Sequence, residues 1–301
     1  MFQTERRRRE NLVENIHPKH GIVWTPYIML IPTLVLLGVF TFFPFIKTIV
    51  LSFFLTNAQG KAVKFVGFQN FIRILPSKSF LNSLWLTIKF ALVVGVGTFV
   101  ISMFLSLLCT NIVRGSRVYE VMYTIPMAIA SAPASIIWFF ILTPGTGVLN
   151  SLLHTKILWL SNPKIAIYTI AMVTIWASIG VSVIFLMTGF RNVPAELQES
   201  AIIDGATKLQ RIKHILIPVA SPQIFFVIFL NIVNSFRAFA QIRLLTNGGP
   251  MDSTSTLIYS LYNMAFHDNR FESACVLSLV LFLIIFLVTR IQFLFEHKVN
   301  Y

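Results

Sequence analysis

Arg191-Asn-Val-Pro-Ala-Glu-Leu-Gln-Glu-Ser-Ala-Ile-Ile-Asp-Gly-Ala-Thr-Lys-Leu-Gln-Arg-Ile-Lys-His-Ile-Leu-Ile-Pro218 is a charge-bearing stretch between two long apolar runs, and its reading decides the fold. Its local grammar is helix, turn, helix. Pro194 suits a first helical position, with Glu196 and Glu199 close to that positive N-terminal end. Gly205, beside Asp204, can take the left-handed conformation that ends a helix. Thr207 can cap a second helix, whose Arg211, Lys213 and His214 lie toward its negative end, and Pro218 is expected to stop it. Leu197, Ala201 and Ile202 on the first helix, and Leu209, Ile212 and Ile215 on the second, give two short amphipathic faces. Such a pair either lies on a bilayer surface or docks as a compact knob in the groove of a partner.

Outward from this loop the chain is apolar. Six segments, roughly 27–54, 90–108, 119–142, 165–190, 225–245 and 274–295, reach the ~20 residues a spanning helix needs. The expected organisation is an N-terminal segment over 1–25, a six-span domain over 26–296 with the loop at 191–218, and a tail over 297–301. An even number of spans places both termini on one side. With the termini inside, thirteen Lys and Arg fall in inner segments and eight in outer ones, so the excess of inner positive charge favours cytoplasmic termini. Arg6 to Arg9 read as part of that orientation signal at the anionic leaflet. The first outer loop is itself basic.

Composition agrees. Of 301 residues, 56% are hydrophobic and 12% charged, about half the charged share of a soluble domain, so a soluble enzyme is excluded. Twenty-nine Phe and long aliphatic runs exclude disorder. The net charge of +13 is distributed between apolar runs, which points to membrane orientation and away from nucleic acid. Cys109 and Cys275 both sit in or at the edge of apolar runs and read as small buried hydrophobes. No acid or histidine falls in the middle of a span, which counts against a proton- or sodium-driven secondary carrier. A membrane-embedded lipid-modifying enzyme would need convergent acid/base or metal groups, and no His/Cys/Asp/Glu cluster has ligand spacing. Without a phosphate-cradling glycine motif, any ATPase driving transport is a separate chain.

The loop resembles the coupling loop of binding-protein-dependent ABC importer permeases, whose pattern is E-A-A, three residues, G, nine residues, I-x-L-P. Here it reads Glu199-Ser200-Ala201, then Gly205, then Ile215-Leu216-Ile217-Pro218, with Ser200 in place of the middle Ala and Ile217 in place of Leu. Thr25-Pro26-Tyr27 leading to Pro44, the stretch Asn111 to Arg117 with Tyr119 and Pro126, and Leu245 to Pro250 with Thr254 and Leu257 extend the resemblance over most of the chain. Arg114 to Arg117 and the tail from Gln292 are similar to the glycerol-3-phosphate type; trehalose, raffinose and multiple-sugar types are near alternatives. The maltose type, with two extra spans, fits less well.

The resemblance implies an all-α membrane protein, an ABC type I importer permease bundle in a bacterial or archaeal cytoplasmic membrane. Its implied partners are a second homologous permease chain, two ATPase subunits that bind the ATP and Mg, and an extracytoplasmic solute-binding protein. The chain itself would hold no cofactor or metal and break no bonds. Closure of the ATPases would carry the coupling helices with it and turn the bundle about a midplane site. Glu199, Ser200, Ala201, Asp204, Gly205, Ile215 and Pro218 are the implied ATPase-coupling residues, with Gly205 giving the turn and Ala201 allowing close approach.

The fifth segment carries Asn231, Asn234, Ser235 and Gln241, whose spacing puts them broadly on one helical face. Amides and a hydroxyl suit the hydroxyls of a polyol or sugar, or equally helix–helix hydrogen bonding. In the fourth segment, Ser178, Ser182 and Thr188 read as packing residues, and Lys47 as a snorkelling one. Arg237 lies within the fifth segment and Arg243 near its end; an arginine at membrane depth faces a cavity or a partner. An acid on the sister permease, backbone carbonyls at a helix end, and an anionic solute are the three candidates. The planar guanidinium matches phosphate geometry.

Overall fold

A computed structural model describes residues 25–109 and 116–299. The Arg6 to Arg9 cluster and the stretch Asn111 to Arg114 lie outside the described residues. The chain divides into two units, Met1–Thr48 and Ile49–Tyr301. The described part of the first holds α1 (Thr25–Leu37), a π turn (Gly38–Phe42) and most of α2 (Phe43–Ser52). Its side chains, Lys47 included, are largely exposed. The stretch Pro26–Ser52 is long and apolar enough to cross a bilayer.

The second unit continues with the ribbon β1 (Phe54–Thr56) and β2 (Ala62–Phe65), then α3 (Gln69–Ile74), α4 (Lys78–Cys109), α5 (Ser116–Ala128), α6 (Ser131–Leu142) and α7 (Val148–Leu153). After these come α8 (Ala166–Arg191), α9 (Ala195–Ile203), α10 (Lys208–Arg211), a second π turn (Ile212–Leu216) and α11 (Ile217–Val219). The chain closes with α12 (Ser221–Phe236), α13 (Ala240–Leu245), α14 (Leu257–Phe266) and α15 (Phe271–Val299). Among the described residues four helices are long and apolar enough to cross a membrane, or six if each of two bent pairs makes one crossing.

The centre of the bundle is α4 against α8, with α12 laid on both and α5 on the outside of α8. At one end Phe90 and Val94 of α4 meet Ile167, Ile170 and Val173 of α8, Ile242 and Leu245 of α13, and Tyr259 of α14. At the other, Leu186 and Phe190 of α8 meet Val227 of α12. Glycine permits a close approach of two backbones: a Cβ at Gly180 of α8 would lie 2.9 Å from the Tyr123 carbonyl oxygen and 3.2 Å from the Thr124 Cα of α5. Small residues at helix contacts let two backbones pack directly, which lipid-embedded helices use in place of a hydrophobic drive.

The helix boundaries differ from the apolar segments in three places. The second segment was expected to start at Phe90, but α4 begins at Lys78. One face of its first half is buried against protein and carries polar residues: Ser83 Oγ bonds Ser260 Oγ at 2.8 Å, and Thr87 Oγ1 accepts from the Leu257 N–H at 2.8 Å. Hydropathy discounts such residues, whereas a buried helix face satisfies them. The third segment is not one rod: α5 and α6 meet at 102°. Ala130 is extended, and Pro133 sits in the first turn of α6, where its missing N–H costs nothing. The fifth is not one helix either. Its helix starts at Ser221 and stops at Phe236, with Arg237 to Phe239 bridging to α13.

Both π turns end one residue short of an X-Pro step. The Phe43 N–H bonds the Gly38 carbonyl just before Pro44, and the Ile217 N–H bonds the Ile212 carbonyl just before Pro218. A proline ring in regular α winding clashes with the carbonyl four residues back. One wider turn gives it room and lets the helix pass through. Pro218 therefore does not stop its helix as expected: winding continues to Val219, and the break, at 74°, falls at Ala220.

Candidate functional site

The loop between α8 and α12 is pinned at its root and bare at its tip. Val193 and Leu216 are buried with Leu186, Phe190, Ala220 and Val227, and half-buried Ile215 packs on that cluster. Between these anchors α9 has no buried residue. Glu199, Ser200 and Asp204 are exposed, as are Leu197, Ile202, Ile203 and Leu209, while Ala201 is half-buried. Pro194 is extended and caps α9 from outside, one residue before the first-turn position expected of it.

Gly205 has φ +76°, and a Cβ there would meet nothing within 4 Å. The Gly205 N–H bonds the Ile202 carbonyl at 3.0 Å and the Ala206 N–H the Ala201 carbonyl at 2.9 Å. That pairing is a Schellman termination, which needs a residue tolerant of positive φ at this position. Thr207 then opens α10 with a reciprocal capping box through Gln210. Asp204, Gly205, Gln210, Arg211 and His214 line a cleft of about 340 Å³ between the two helices. At the root, Arg191 is ion-paired with Glu120 of α5, tying the start of the loop to the neighbouring helix.

A second cleft, of about 380 Å³, opens between α8 and α12 and is floored by the bridge after Phe236 and the start of α13. Asn231, Asn234, Arg237 and Gln241 all line it, joined by Ser178 and Ser182 of α8. Gln241 reaches it from α13 across the break, so the ten-residue step does not run along one helix face. Ser235 is outside the lining: it is buried, and its hydroxyl donates to the Ile232 carbonyl at 2.6 Å. Ser182, read from the sequence as packing, instead donates from Oγ to Asn231 Oδ1 at 2.9 Å. Asn231 is 6% exposed, and its Nδ2 has no hydrogen-bond partner. The exposed Arg237 follows the last turn of α12, so the helix break hands its guanidinium to the cleft.

Ser131 and Thr174 also line the cleft and were not expected there. A spacing rule along one segment cannot find residues that a neighbouring helix supplies. The break itself has no glycine or proline to announce it; the only sequence signal is the charge of Arg237 inside an apolar run. Arg243 stands apart, held by Asn247 and lying over the Tyr262 ring at 5.6 Å. Thr188 is exposed and donates to the Ile184 carbonyl of its own helix. Among the described residues no group of His, Cys, Asp and Glu could hold a metal ion.

Residues 99–301 match the binding-protein-dependent transport system inner membrane component family. The chain belongs to this family. The sn-glycerol-3-phosphate transport system permease protein UgpA of Yersinia enterocolitica serotype O:8 is 33% identical over 290 residues, covering 94% of this chain and 98% of the relative. Its counterpart in Escherichia coli O157:H7 is 32% identical over 288 residues, covering 92% and 96%. Among solved structures, a chain of a bacterial alginate ABC transporter in complex with an alginate pentasaccharide-bound periplasmic protein superposes with TM-score 0.81 at 20% identity, covering 92% of this chain and 95% of that one. A chain of the MetNI methionine ABC transporter in an inward-facing conformation superposes with TM-score 0.58 at 16% identity, covering 77% and 99%. The permease is thus an inner-membrane transport subunit with the ABC type I importer fold, and the six-segment reading and its coupling-loop resemblance lead to the same family.

Proposed function

We propose that this permease carries an anionic polyol of the sn-glycerol-3-phosphate kind inward, with the α8–α12 cleft as the wall that contacts the solute. One observation carries the reading: Arg237, which has no ion pair among the described residues, shares a cleft with the free amide donor of Asn231. An arginine at membrane depth is costly unless a cavity, a partner or an anion receives it. A guanidinium matches a phosphate through paired N–H donors, and amides match hydroxyls. The relatives transport sn-glycerol-3-phosphate by name, which agrees with that chemistry. A neutral carbohydrate is the second reading; the amide and hydroxyl lining favours it wherever Arg237 is neutralised by a sister chain.

In this reading a solute-binding protein delivers the solute, a second homologous permease closes the open side of the cleft, and two ATPase subunits hold the ATP and Mg. The permease breaks no bonds. The bare tip of the 191–218 loop, with Ile202, Ile203 and Leu209 outward, docks in the ATPase groove, and both termini are cytoplasmic. The test is uptake into proteoliposomes containing the whole transporter, comparing labelled glycerol 3-phosphate with a neutral disaccharide, each with its binding protein. Uptake of the phosphate ester supports the reading; uptake of the uncharged sugar alone rejects it.

A further inference from the structure

We propose that residues 53–78 form an anchor that binds acidic phospholipid headgroups on the membrane face opposite the coupling loop. Position comes first. Cys109 at the end of α4 packs with Val183 and Met187 near the end of α8, from which the coupling loop departs. Lys78, at the other end of this 32-residue helix, is therefore at the far face of the bundle.

The segment is held rigidly. Asn70 Nδ2 donates to the Ser52 and Phe54 carbonyls, each at 2.9 Å. Thr56 Oγ1 donates to Glu272 Oε2 at 2.7 Å, and Gly60 lies against the ring of Phe271. What this frame presents outward is apolar: Val63, Phe65, Phe68 and Ile72 are between 66 and 71% exposed. Phe68 and Ile72 stand one turn apart, the Ile72 N–H bonding the Phe68 carbonyl.

Charge selects the occupant. From Phe53 to Lys78 there is no acid, against Lys61, Lys64, Arg73 and Lys78. Glu272 takes Arg73 at 3.5 Å; Lys61, Lys64 and Lys78 are exposed and have no ion pair among the described residues. The apolar exterior of α4, with Leu81, Trp85 and Ile88 exposed, begins directly at Lys78 and continues the same surface into the bilayer. Exposed aromatics beside lysines at the point where a lipid-facing helix meets water are the pattern of an interfacial element, with ammonium groups reaching the phosphates. Each such cation near an anionic surface adds attraction that falls off within a Debye length. The anchor also accounts for the basic outer loop, whose charge runs against the orientation signal.

The test uses the assembled transporter carrying Phe65→Cys or Ile72→Cys, each labelled with a polarity-sensitive fluorophore, in vesicles of phosphatidylcholine with or without phosphatidylglycerol. Nitroxide-bearing lipids act as quenchers. Headgroup nitroxides should quench both probes well above a Met251→Cys control, more strongly in the acidic vesicles, and before any solute-binding protein is added. Lys61→Gln with Lys64→Gln should reduce that quenching to the level of neutral vesicles. The proposal is overturned by quenching no greater than the control, by equal quenching in the two lipids, by no effect of the lysine changes, or by shielding that arises only when the solute-binding protein docks. ATPase activity of each labelled complex reports that assembly is intact.

Discussion

Ser182 on α8 donates to Asn231 on α12 at 2.9 Å, which engages the amide oxygen and leaves its Nδ2 without a hydrogen-bond partner. Asn231→Asp keeps the acceptor for Ser182 and removes that donor. A hydrogen bond to a solute hydroxyl is worth about 0.5–1.5 kcal/mol, and the new carboxylate also repels an anionic solute, so uptake at subsaturating solute should fall about tenfold or more. Ser182→Ala, which only frees the amide to turn, should cost less. Uptake in proteoliposomes, with complex assembly verified by co-purification of the ATPase, checks both.

Arg237→Gln tests the charge. With an anionic solute, uptake should fall by about one to two orders of magnitude, and Arg237→Lys should recover part of it as a point charge without the fork. Unchanged uptake in Arg237→Gln would remove this residue as a phosphate ligand.

Gly205→Val forces a β-branched residue to φ +76° at a site with open space around it, so the cost is in the backbone and not in a clash. About 1–2 kcal/mol, or more for a branched side chain, falls on the turn alone. Stimulation of ATPase activity by loaded binding protein should drop, while the thermal unfolding midpoint should move less than with Gly180→Val, because the strain is confined to a tip without buried residues that can open locally. A wild-type stimulation would reject the coupling role of the turn.

Gly180→Val should do the reverse. Its Cβ would sit 2.9 Å from the Tyr123 carbonyl oxygen, and backbone atoms cannot swing aside. Overpacking of this kind costs about 1–3 kcal/mol. The unfolding midpoint in detergent should fall by about 2–4 °C per kcal/mol.

Orientation is tested with single cysteines in a Cys109→Ala, Cys275→Ala background. Met251→Cys, at the end of the chain's turn after α13, should react with an impermeant thiol reagent in intact cells, and Lys208→Cys should not. The reverse pattern would place the coupling loop outside and reject the ATPase docking.

The sequence is most transparent where local rules act alone. Gly205 at positive φ and the Thr207 cap follow from residue type and spacing, because a turn is decided by its own few residues. It is least transparent where one helix corrects another. The polar start of α4 passes as a loop until Ser260 and Leu257 are seen to satisfy Ser83 and Thr87. Asn231, Asn234, Arg237 and Gln241 were legible as a set, but for a reason that only partly holds, since a break after Phe236 and not one continuous face brings Gln241 to the cleft. Ser235 fails because periodicity cannot tell a hydroxyl facing a cleft from one bonded back to its own helix.

The wide turn Ile212–Leu216 holds one residue more than regular winding would need between the coupling tip and α12. Deleting any one of its five residues would let the helix close up in ordinary α winding with little change of phase between its two ends. The bundle would be untouched, yet the Pro218 ring would then press on the carbonyl four residues before it. The turn is an expansion joint: one residue of slack lets a rigid ring ride inside a continuous helix, and the helix keeps its course to Val219 in spite of the proline.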